Sequence, residues 1–384
     1  MSTVEELQKE RMEIRSDLLA GKRPKRVFIN PFFTLEAACS HAGIDLLKAH
    51  YSLDLTERAY EKICTDFYTD TMPAINFRFA SVYHLLGSRN WVPGSEGTIQ
   101  HPEIETMKVE DYDDFNRAPY KTIIEKFLPR VCSALDKDPG SNSLNLASAF
   151  GAYKNVSAGQ FGIIIKMSIK YGYVPGFITS QMIVAPFDFL SDQLRGFKAI
   201  NMDIRRCPDK VKAAVEAITP LMIKMATPAA MQPGLISFIP LHLGPYINRK
   251  AFDELYWPSL EKVVVELDKI GIACCLFVEQ DWTRYAEYLE RLPKSSILFM
   301  EAGDPKRFTE TVGKDHIFGG FFDPTITLAR SKEECIDEVK KLFDICMKSD
   351  HFYFCFDRGI LNMKSVDVPK LQAVLEWIHE NGKY

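Results

Sequence analysis

The 384-residue sequence predicts an α/β protein, and more narrowly a (β/α)8 barrel of the TIM type. Three observations carry this prediction. Apolar runs of strand length, about eight in all, alternate with helical patterns, most regularly in the second half of the chain. Several late runs end abruptly in charged residues, as parallel strands do when they open toward one polar mouth. No Gly-rich nucleotide-binding fingerprint follows any run, which disfavours an open, doubly wound sheet.

The first half of the chain predicts an extension, the start of the barrel and an insertion. Residues 1–24 have the charged, amphipathic pattern of a helical extension, and residues 25–384 form the predicted barrel. The apolar run 26–33 is the expected first strand, and a second strand is expected near Asp70. The irregular stretch from 80 to 160 is too long for a plain loop, so we expect an insertion over the site.

The second half predicts a regular alternation of helices and strands. A third strand is expected over 173–181, and a long helix should begin at Pro208, because proline is favoured at the first helical position. The remaining strands are predicted at 234–244, 272–279, 295–304, 316–324 and 351–359.

Composition narrows the class of protein. A net charge of −4 and a pI near 6.1 give no global basic bias toward nucleic acid. No apolar segment reaches the roughly 18 residues that a membrane span needs. The nine cysteines show neither paired nor metal-ligand spacing, so they predict reduced thiols in a cytoplasmic protein.

The segment FVEQDW carries the most informative charges. Glu279 and Asp281 directly follow a buried run, and carboxylates beside a dry core need charge partners, a metal or a chemical task. His242 and Asp70 also fall at predicted strand ends. The candidate catalytic residues are therefore Glu279, His242, Asp281 and Asp70, with Glu279 and His242 as candidate metal ligands. Two structural alternatives stay open, since His242 could be a hydrogen-bonded core residue and Asp281 a helix cap.

Aromatic and charged residues near strand ends are the candidate substrate contacts. Rings at the mouth of a barrel would suit an aromatic ligand, although most aromatic residues belong to the core. Arg358 could pair with Asp357 or attract an anionic group, and Asp323 could be a turn residue before proline. The candidate substrate-binding residues are Phe77, Tyr83, Phe187, Phe321, Asp323 and Arg358.

Longer segments resemble the uroporphyrinogen decarboxylase superfamily, whose fold is a (β/α)8 barrel. The resemblance extends over most of residues 25–384 and is strongest in the second half. It is carried by APFDFLSDQLRGFKAINMDIRRCPDKVKAAVE (185–216), HLGPYINRKAFDELYWPSLEKV (242–263), FVEQDWTRYAEYLERLPKSS (277–296), IFGGFFDP (317–324) and SKEECIDEVKKLF (331–343).

The chain departs from two branches of that superfamily. The decarboxylases carry arginines after the first strand to hold substrate carboxylates, whereas INPFFTLEAACSHAG (29–43) contains none. The aspartate of their second strand corresponds to Asp70. The thiol-methylating branch binds zinc through a His-x-Cys motif, and Phe277, Val278 and Glu279 stand in its place. A carboxylate ligand would make a bound metal harder and better suited to oxygen.

The resemblance therefore implies a methyltransferase similar to the substrate component of anaerobic O-demethylases. Such an enzyme moves the methyl group of an aryl methyl ether to the Co(I) corrinoid, a cobalamin, of a partner protein. Acid or Zn²⁺ assistance at the ether oxygen would come from Glu279 and His242. Two alternatives remain, namely a decarboxylase of an aromatic or pyrrolic acid and a non-catalytic tetrapyrrole-binding protein. Homodimers are common in the superfamily.

Overall fold

A computed structural model describes residues 3–384 as an α/β protein with two compact units. Both units are assembled from segments that are distant in the sequence, so neither is a simple half of the chain. The first unit comprises the described residues up to Phe77 together with Ala158–Thr179 and Cys275–Tyr384. The second unit comprises Arg78–Ser157 and Ser180–Cys274.

Strands are short in the first quarter of the chain and longer toward its end. They are β1 (Phe28–Ile29), β2 (Phe33–Thr34), β3 (Ala74–Ile75), β4 (Val92–Pro93), β5 (Ile99–Gln100), β6 (Ile236–Leu241), β7 (Ala273–Asp281), β8 (Ile297–Ala302), β9 (Ile317–Gly320) and β10 (Phe352–Phe354).

Helices of eight or more residues are α1 (Val4–Leu19), α2 (Leu35–Ala42), α3 (Leu53–Asp66), α4 (Pro139–Tyr171), α5 (Phe197–Arg206), α6 (Pro208–Ala226), α7 (Trp257–Lys269), α8 (Lys332–Cys346) and α9 (Val368–Asn381). Shorter α-helical segments are Leu46–Ala49, Ala80–Leu86, Tyr112–Arg117, Pro119–Thr122, Leu128–Val131, Pro186–Asp188, Arg249–Ala251, Ala286–Leu289, Pro305–Glu310 and Ile326–Ala329. Three segments are π-helical, Ile123–Phe127, Phe189–Arg195 and Phe252–Tyr256.

The first unit is built on a parallel sheet in which β1, β10, β9, β8 and β7 are neighbours in that order. Alternation along β7 shows how the sheet is packed. Cys274, Leu276 and Val278 are almost completely buried on one face, whereas Phe277 and Glu279, on the other face, are half-buried. The strands run parallel, so their carboxyl ends meet at one edge. This edge positions the site in the first unit.

The second unit contains β6, the antiparallel pair β4 and β5, and the helices α5, α6 and α7. β6 is hydrogen-bonded on both sides within the unit. The amides of Ser180 and Ile183 donate to its carbonyls, and Ala273 donates to the carbonyl of Leu235 just before it. All six residues of β6 are buried, as expected for a strand inside a parallel sheet. Its carboxyl end leads directly to His242.

Several sequence predictions are confirmed. The fold class is α/β with parallel strands separated by helices, and helix α6 begins at Pro208 as expected. The extension forms α1, which Thr3 and Glu6 start with a reciprocal capping box. The predicted third strand over 173–181 is wrong, because this segment forms no continuous strand but an isolated bridge from Val174 to Thr71 and single hydrogen bonds to β6 at Ser180 and Gln181. No helix in residues 3–384 is long and apolar enough to cross a membrane.

Candidate active site

A row of aromatic rings lines one face of the sheet in the first unit. Phe277 is in register with Phe299, Phe299 with Gly319, and Gly319 with Tyr353. Register partners of parallel strands point to the same side, so these residues share one face. The rings of Phe277 and Phe299 stack with their centroids 4.4 Å apart. Gly319 leaves room for the ring of Tyr353, because a Cβ there would lie 2.8 Å from that ring.

Two further phenylalanines extend this surface. The ring of Phe32 lies edge-on to Phe299 at 5.9 Å and to Phe77 at 6.3 Å. Phe32 also covers Gly359, where a Cβ would lie only 2.1 Å from the Phe32 ring. Phe77, a predicted substrate contact, thus belongs to the ring row that Phe32, Phe77, Phe277 and Phe299 form. These four rings offer an apolar surface of stacked and edge-on rings at the strand ends.

Carboxylates follow the ring row toward the carboxyl ends of the strands. Glu279 and Glu301 lie two residues beyond Phe277 and Phe299, so they project from the same face. Asp323 and Asp357 follow at the ends of β9 and β10, where the amide of Asp357 donates to the carbonyl of Phe322 at 2.8 Å. We call the four residues Glu279, Glu301, Asp323 and Asp357 the strand-end carboxylates. They occupy the edge at which barrel enzymes place catalytic residues.

Arg358 links two strand-end carboxylates. Its guanidinium lies 3.2 Å from Glu301 and 3.0 Å from Asp357, so the predicted pairing with Asp357 is present. Glu301 also accepts the amide N–H of Gln280 at 2.6 Å. Burial, together with the negative charges of Asp323 and Glu301, raises the pKa of Asp357 to about 6 although Arg358 opposes the rise. Asp357 therefore gains or loses a proton near neutrality.

The backbone is strained at two of these strand ends. Gln280 and Phe321 adopt left-handed conformations with φ of 65° and 68°, which side chains other than glycine rarely accept. Gln280 lies where the register of β7 against β8 shifts between Val278 and Asp281, as in a β-bulge. Strain of this kind is concentrated at functional sites, so it supports this edge as the site.

Two predicted site residues have local structural roles. Asp281 is exposed and accepts the amide N–H of Thr283 at 2.8 Å, which opens the short 3₁₀ turn that follows β7. Asp323 accepts the amide N–H of Thr325 at 2.8 Å in the turn after β9. Both bonds are local turn contacts, and catalytic or substrate roles for Asp281 and Asp323 stay predictions. Asp323 nevertheless remains close enough to influence Asp357 electrostatically.

Asp70 is held in the core by two arginines. It is fully buried, and both of its oxygens accept hydrogen bonds of 2.8 Å from Arg26. The amide of Ile29 donates to it at 2.8 Å, and the guanidinium of Arg11 from helix α1 lies 3.4 Å away. These contacts give Asp70 a structural role, and its catalytic role stays a prediction.

The second unit contains a separate acidic centre around His242. His242 Nδ1 lies 2.5 Å from Asp192, which also accepts the hydroxyl of Ser191 at 2.6 Å. Asp188 is fully buried and accepts the amide N–H of His242 at 2.9 Å and the hydroxyl of Tyr256 at 2.7 Å. Burial and the charge of Asp192 raise the pKa of Asp188 to about 7. Asp188 thus fixes the backbone at His242, and Asp192 orients its ring.

A stack of rings accompanies this centre. His101 stacks on Trp91 with ring centroids 4.2 Å apart, and Trp91 stacks on Tyr83 at 5.8 Å. Arg78 lies over the face of Trp91. The pKa of His101 is lowered from its ordinary value, because burial outweighs the opposing effect of the charge on Asp192. Tyr83, a predicted substrate contact, is half-buried in this stack and belongs to the second unit.

The other predicted aromatic contacts differ in burial. Phe187 is fully buried and packs against Tyr256 at 5.7 Å, as a core residue does, and its contact with substrate stays a prediction. Phe321 is half-buried beside Phe308, with ring centroids 5.9 Å apart. Its left-handed backbone places it at the strained end of β9.

The candidate metal ligands belong to different units, Glu279 to the first and His242 to the second. Within residues 3–384, no group of three or more His, Cys, Asp or Glu side chains is arranged to hold a metal ion. The donor set that the sequence predicts therefore does not by itself fit a zinc site.

Sequence reasoning did not select several residues that the structure brings together. They are His101, Asp188 and Asp192 in the second unit, whereas Glu301 and Asp357 in the first unit fall where the sequence predicts charged strand ends. Asp188 and Asp192 carried a readable signal, because two carboxylates interrupt the otherwise apolar segment APFDFLSDQL. Asp192 lies in the π-helical segment Phe189–Arg195, and such segments are frequent at functional sites.

Comparison with known proteins defines the class. Residues 177–381, more than half of the chain, match the uroporphyrinogen decarboxylase (URO-D) family. Among solved structures, a methyltransferase from Methanosarcina mazei is similar in fold, with a TM-score of 0.61 and 11% sequence identity. The similarity covers 97% of this chain and 98% of that chain. No curated protein matches the chain in sequence.

The chain therefore belongs to the uroporphyrinogen decarboxylase family, as the sequence resemblance predicted. The match with the M. mazei structure extends the shared fold over nearly the entire chain. The confirmed fold class is the (β/α)8 barrel of that family, with carboxylates gathered at the ends of its parallel strands.

Proposed function

We propose that this protein is a methyltransferase that moves the methyl group of a methoxylated aromatic compound to the Co(I) corrinoid of a partner protein. Acid assistance at the ether oxygen would make the oxygen a better leaving group. One observation carries the proposal, namely that the ring row is followed directly by the strand-end carboxylates on the same face of the sheet. Membership of the family and the similar fold of a methyltransferase support it.

The ring row suits a flat aromatic substrate. Phe277 and Phe299 stack on each other, and Phe32 meets Phe299 edge-on, so a further ring could pack against an existing aromatic surface. Aromatic pairs of this kind contribute roughly 0.5–1.5 kcal/mol beyond simple burial of apolar area. A substrate ring held there would place its substituents toward the strand-end carboxylates.

Acid assistance addresses the main chemical barrier. When a methyl group leaves an aryl ether, the electron pair of the broken bond stays on oxygen, and an unassisted phenolate is a poor leaving group. A positioned general acid typically contributes a factor of 10² to 10⁴ in rate. The sequence predicts Glu279 and His242 as the residues that supply acid assistance at the ether oxygen. The corrinoid of the partner supplies the nucleophile, and this chain binds and orients the ether.

Zinc assistance remains a prediction without a fitted site. Glu279 and His242 are two donors, and structural or catalytic zinc needs at least three protein ligands. The proposed reaction therefore uses no metal ion bound by this chain. Elemental analysis of the purified protein would decide whether zinc is present.

The structure does not favour the decarboxylase alternative. Decarboxylation of a multiply charged acid needs arginines that converge on the substrate. Arg11 and Arg26 are buried and bound to Asp70, and Arg358 is already paired with Glu301 and Asp357.

The nine cysteines are all free thiols, which supports the proposed cytoplasmic location.

The proposal is tested by incubating the protein with 2-methoxyphenol, a reductant and a corrinoid protein. We expect release of catechol together with methylation of the corrinoid, and no product when the corrinoid protein is left out. If Glu279 supplies the proton, as the sequence predicts, Glu279→Gln slows the reaction by about 100-fold, whereas Glu266→Gln, on the exposed side of α7, should leave it unchanged. Absence of product with every methoxyarene tried would refute the proposal. Tight tetrapyrrole binding without turnover would support the non-catalytic alternative.

A further inference from the structure

Asp357 differs from the other strand-end carboxylates in its surroundings. Its side chain is only 6% exposed, and Oδ2 accepts Arg358 at 3.0 Å. Oδ1 is buried and has no hydrogen-bond partner among residues 3–384. A carboxylate oxygen buried without a partner is costly, and a proton on that oxygen removes the cost. The geometry therefore favours the neutral acid at this position.

Glu301 and Asp323 have no buried oxygen without a donor among residues 3–384. Glu301 accepts the amide N–H of Gln280 and the guanidinium of Arg358, which both favour the charged form. Asp323 accepts the amide N–H of Thr325. A cluster of like charges can be relieved by a single proton, and that proton will reside on the member with a buried oxygen that no donor reaches. This member is Asp357.

Asp357 also lies close to the ring row. Phe32 covers Gly359, which is two residues beyond Asp357, and the next backbone amide, that of Ile360, donates to the carbonyl of Phe32 at 3.3 Å. Tyr353, which is in register with the row through Gly319, lies four residues earlier on the same face. An acid at Asp357 is thus beyond the edge of the aromatic surface, where a substituent of a bound ring would lie.

We propose that Asp357, in place of the sequence-predicted Glu279, is the catalytic residue that delivers a proton to the leaving oxygen, a role that rests on the proposed methyl transfer. The bond between the methyl carbon and the ether oxygen breaks, and its electron pair stays on the oxygen. The methyl group passes to the Co(I) nucleophile of the partner protein, and the proton on Asp357 passes to the oxygen. A neutral phenol and an Asp357 carboxylate result.

Arg358 makes this transfer favourable. Its guanidinium is already 3.0 Å from Asp357 Oδ2, so the negative charge that appears on Asp357 meets a cation without rearrangement. The groups that face Asp357 are Arg358, Glu301, Asp323 and the thiol of Cys355. Protonation from solvent restores the acid for the next turnover, because the pKa of Asp357 is about 6.

Infrared spectroscopy of the whole protein tests the protonation without any substrate. Fully buried Asp188 has a pKa of about 7 and should give a carbonyl band of its own, so all spectra are recorded in an Asp188→Asn background. There we expect a carbonyl band of a buried carboxylic acid that disappears as the pH rises through about 6. The band should be absent when Asp357→Asn is added, and it should remain with Asp357→Glu and with Asp337→Asn, which alters an exposed residue of α8. Loss of the band from Asp337→Asn, or its persistence in Asp357→Asn, would overturn the assignment.

Leaving-group dependence tests the chemical role. Asp357→Asn should lose about 100-fold in rate on methoxyarenes whose phenols are weak acids, and little on nitro-substituted methoxyarenes, whose phenolates leave unaided. Asp357→Glu should recover part of the loss, and melting curves of both variants would confirm that they fold. An equal loss on all substrates would overturn this role and leave methyl transfer intact. A wild-type protein that transfers no methyl group would refute the proposed function itself, and this role with it.

Discussion

Replacing Asp70 by asparagine tests whether this residue holds the fold together or takes part in chemistry. Asp70 is fully buried, accepts two 2.8 Å hydrogen bonds from Arg26 and one from the amide of Ile29, and lies 3.4 Å from Arg11. Asp70→Asn keeps the shape but removes the carboxylate that both buried guanidinium groups share, and Glu10 remains beside Arg26. Breaking a buried ion pair in this way costs about 3–5 kcal/mol.

The assay is thermal unfolding followed by circular dichroism, with methyl transfer measured well below the melting temperature. A loss of 3–5 kcal/mol should lower the melting temperature by roughly 4–6 °C, because the unfolding entropy of a chain of this length is about 0.8 kcal/mol/K. The control is Asp350→Asn, because the ion pair of Asp350 with Arg23 is exposed and should contribute no more than about 1 kcal/mol. If Asp70→Asn melts with the wild type yet loses turnover, Asp70 is catalytic and the structural reasoning fails.

Three other predictions follow from charges and hydrogen bonds in the two units. Asp357 has a folded-state pKa near 6, above its ordinary value of 3.8, so the folded protein keeps a proton that the unfolded chain loses. The free energy of unfolding should therefore fall by about 1–3 kcal/mol between pH 4 and 6 in the wild type, relative to Asp357→Asn. Tyr256→Phe should cost about 1 kcal/mol at pH 8, because buried Asp188 loses a donor. The strand-end carboxylates should repel anionic substrates, so kcat/KM for methoxybenzoates should be about tenfold below that for methoxyphenols, with a smaller gap at high salt.

Each of these predictions has a contrary outcome. Parallel pH profiles for the wild type and Asp357→Asn would show that Asp357 is ionised throughout. For the tyrosine, the control is Tyr120→Phe, which alters an exposed side chain, and equal denaturation midpoints for both variants would contradict the reasoning. Preference for methoxybenzoates would indicate that Arg358, rather than the carboxylates, dominates the field at the strand ends.

The positions of the strand ends could be predicted because a change from apolar to charged residues marks where a buried strand reaches water. This boundary located Glu279, Asp323 and the pair of Asp357 with Arg358 correctly at the carboxyl ends of strands. The class of fold followed from the same alternation. Local sequence carries this information, since each boundary depends on only a few neighbouring residues.

Contacts between distant residues could not be predicted in the same way. Asp70 falls near a predicted strand in the sequence. Its structural role, however, depends on ion pairs with Arg11 and Arg26, which are 59 and 44 positions earlier. The segment 173–181 is apolar, yet Pro175 and Gly176 interrupt it, and it forms an isolated bridge in place of a strand. Asp192 acquires its role only when the chain brings it to His242 across 50 residues.

The left-handed backbone at Gln280 and Phe321 lowers the stability of the fold, so relief of this strain would raise it. Each holds a left-handed backbone that costs a residue other than glycine roughly 1–2 kcal/mol. Gln280→Gly would relieve that cost at a position whose side chain is exposed, and the amide that binds Glu301 would remain. A substitution that raises the stability of the fold therefore lies at the edge of the sheet that carries the strand-end carboxylates. A glycine at position 280 would also make the backbone more flexible, so its amide would bind Glu301 less firmly. The more stable variant would therefore have a less rigid site.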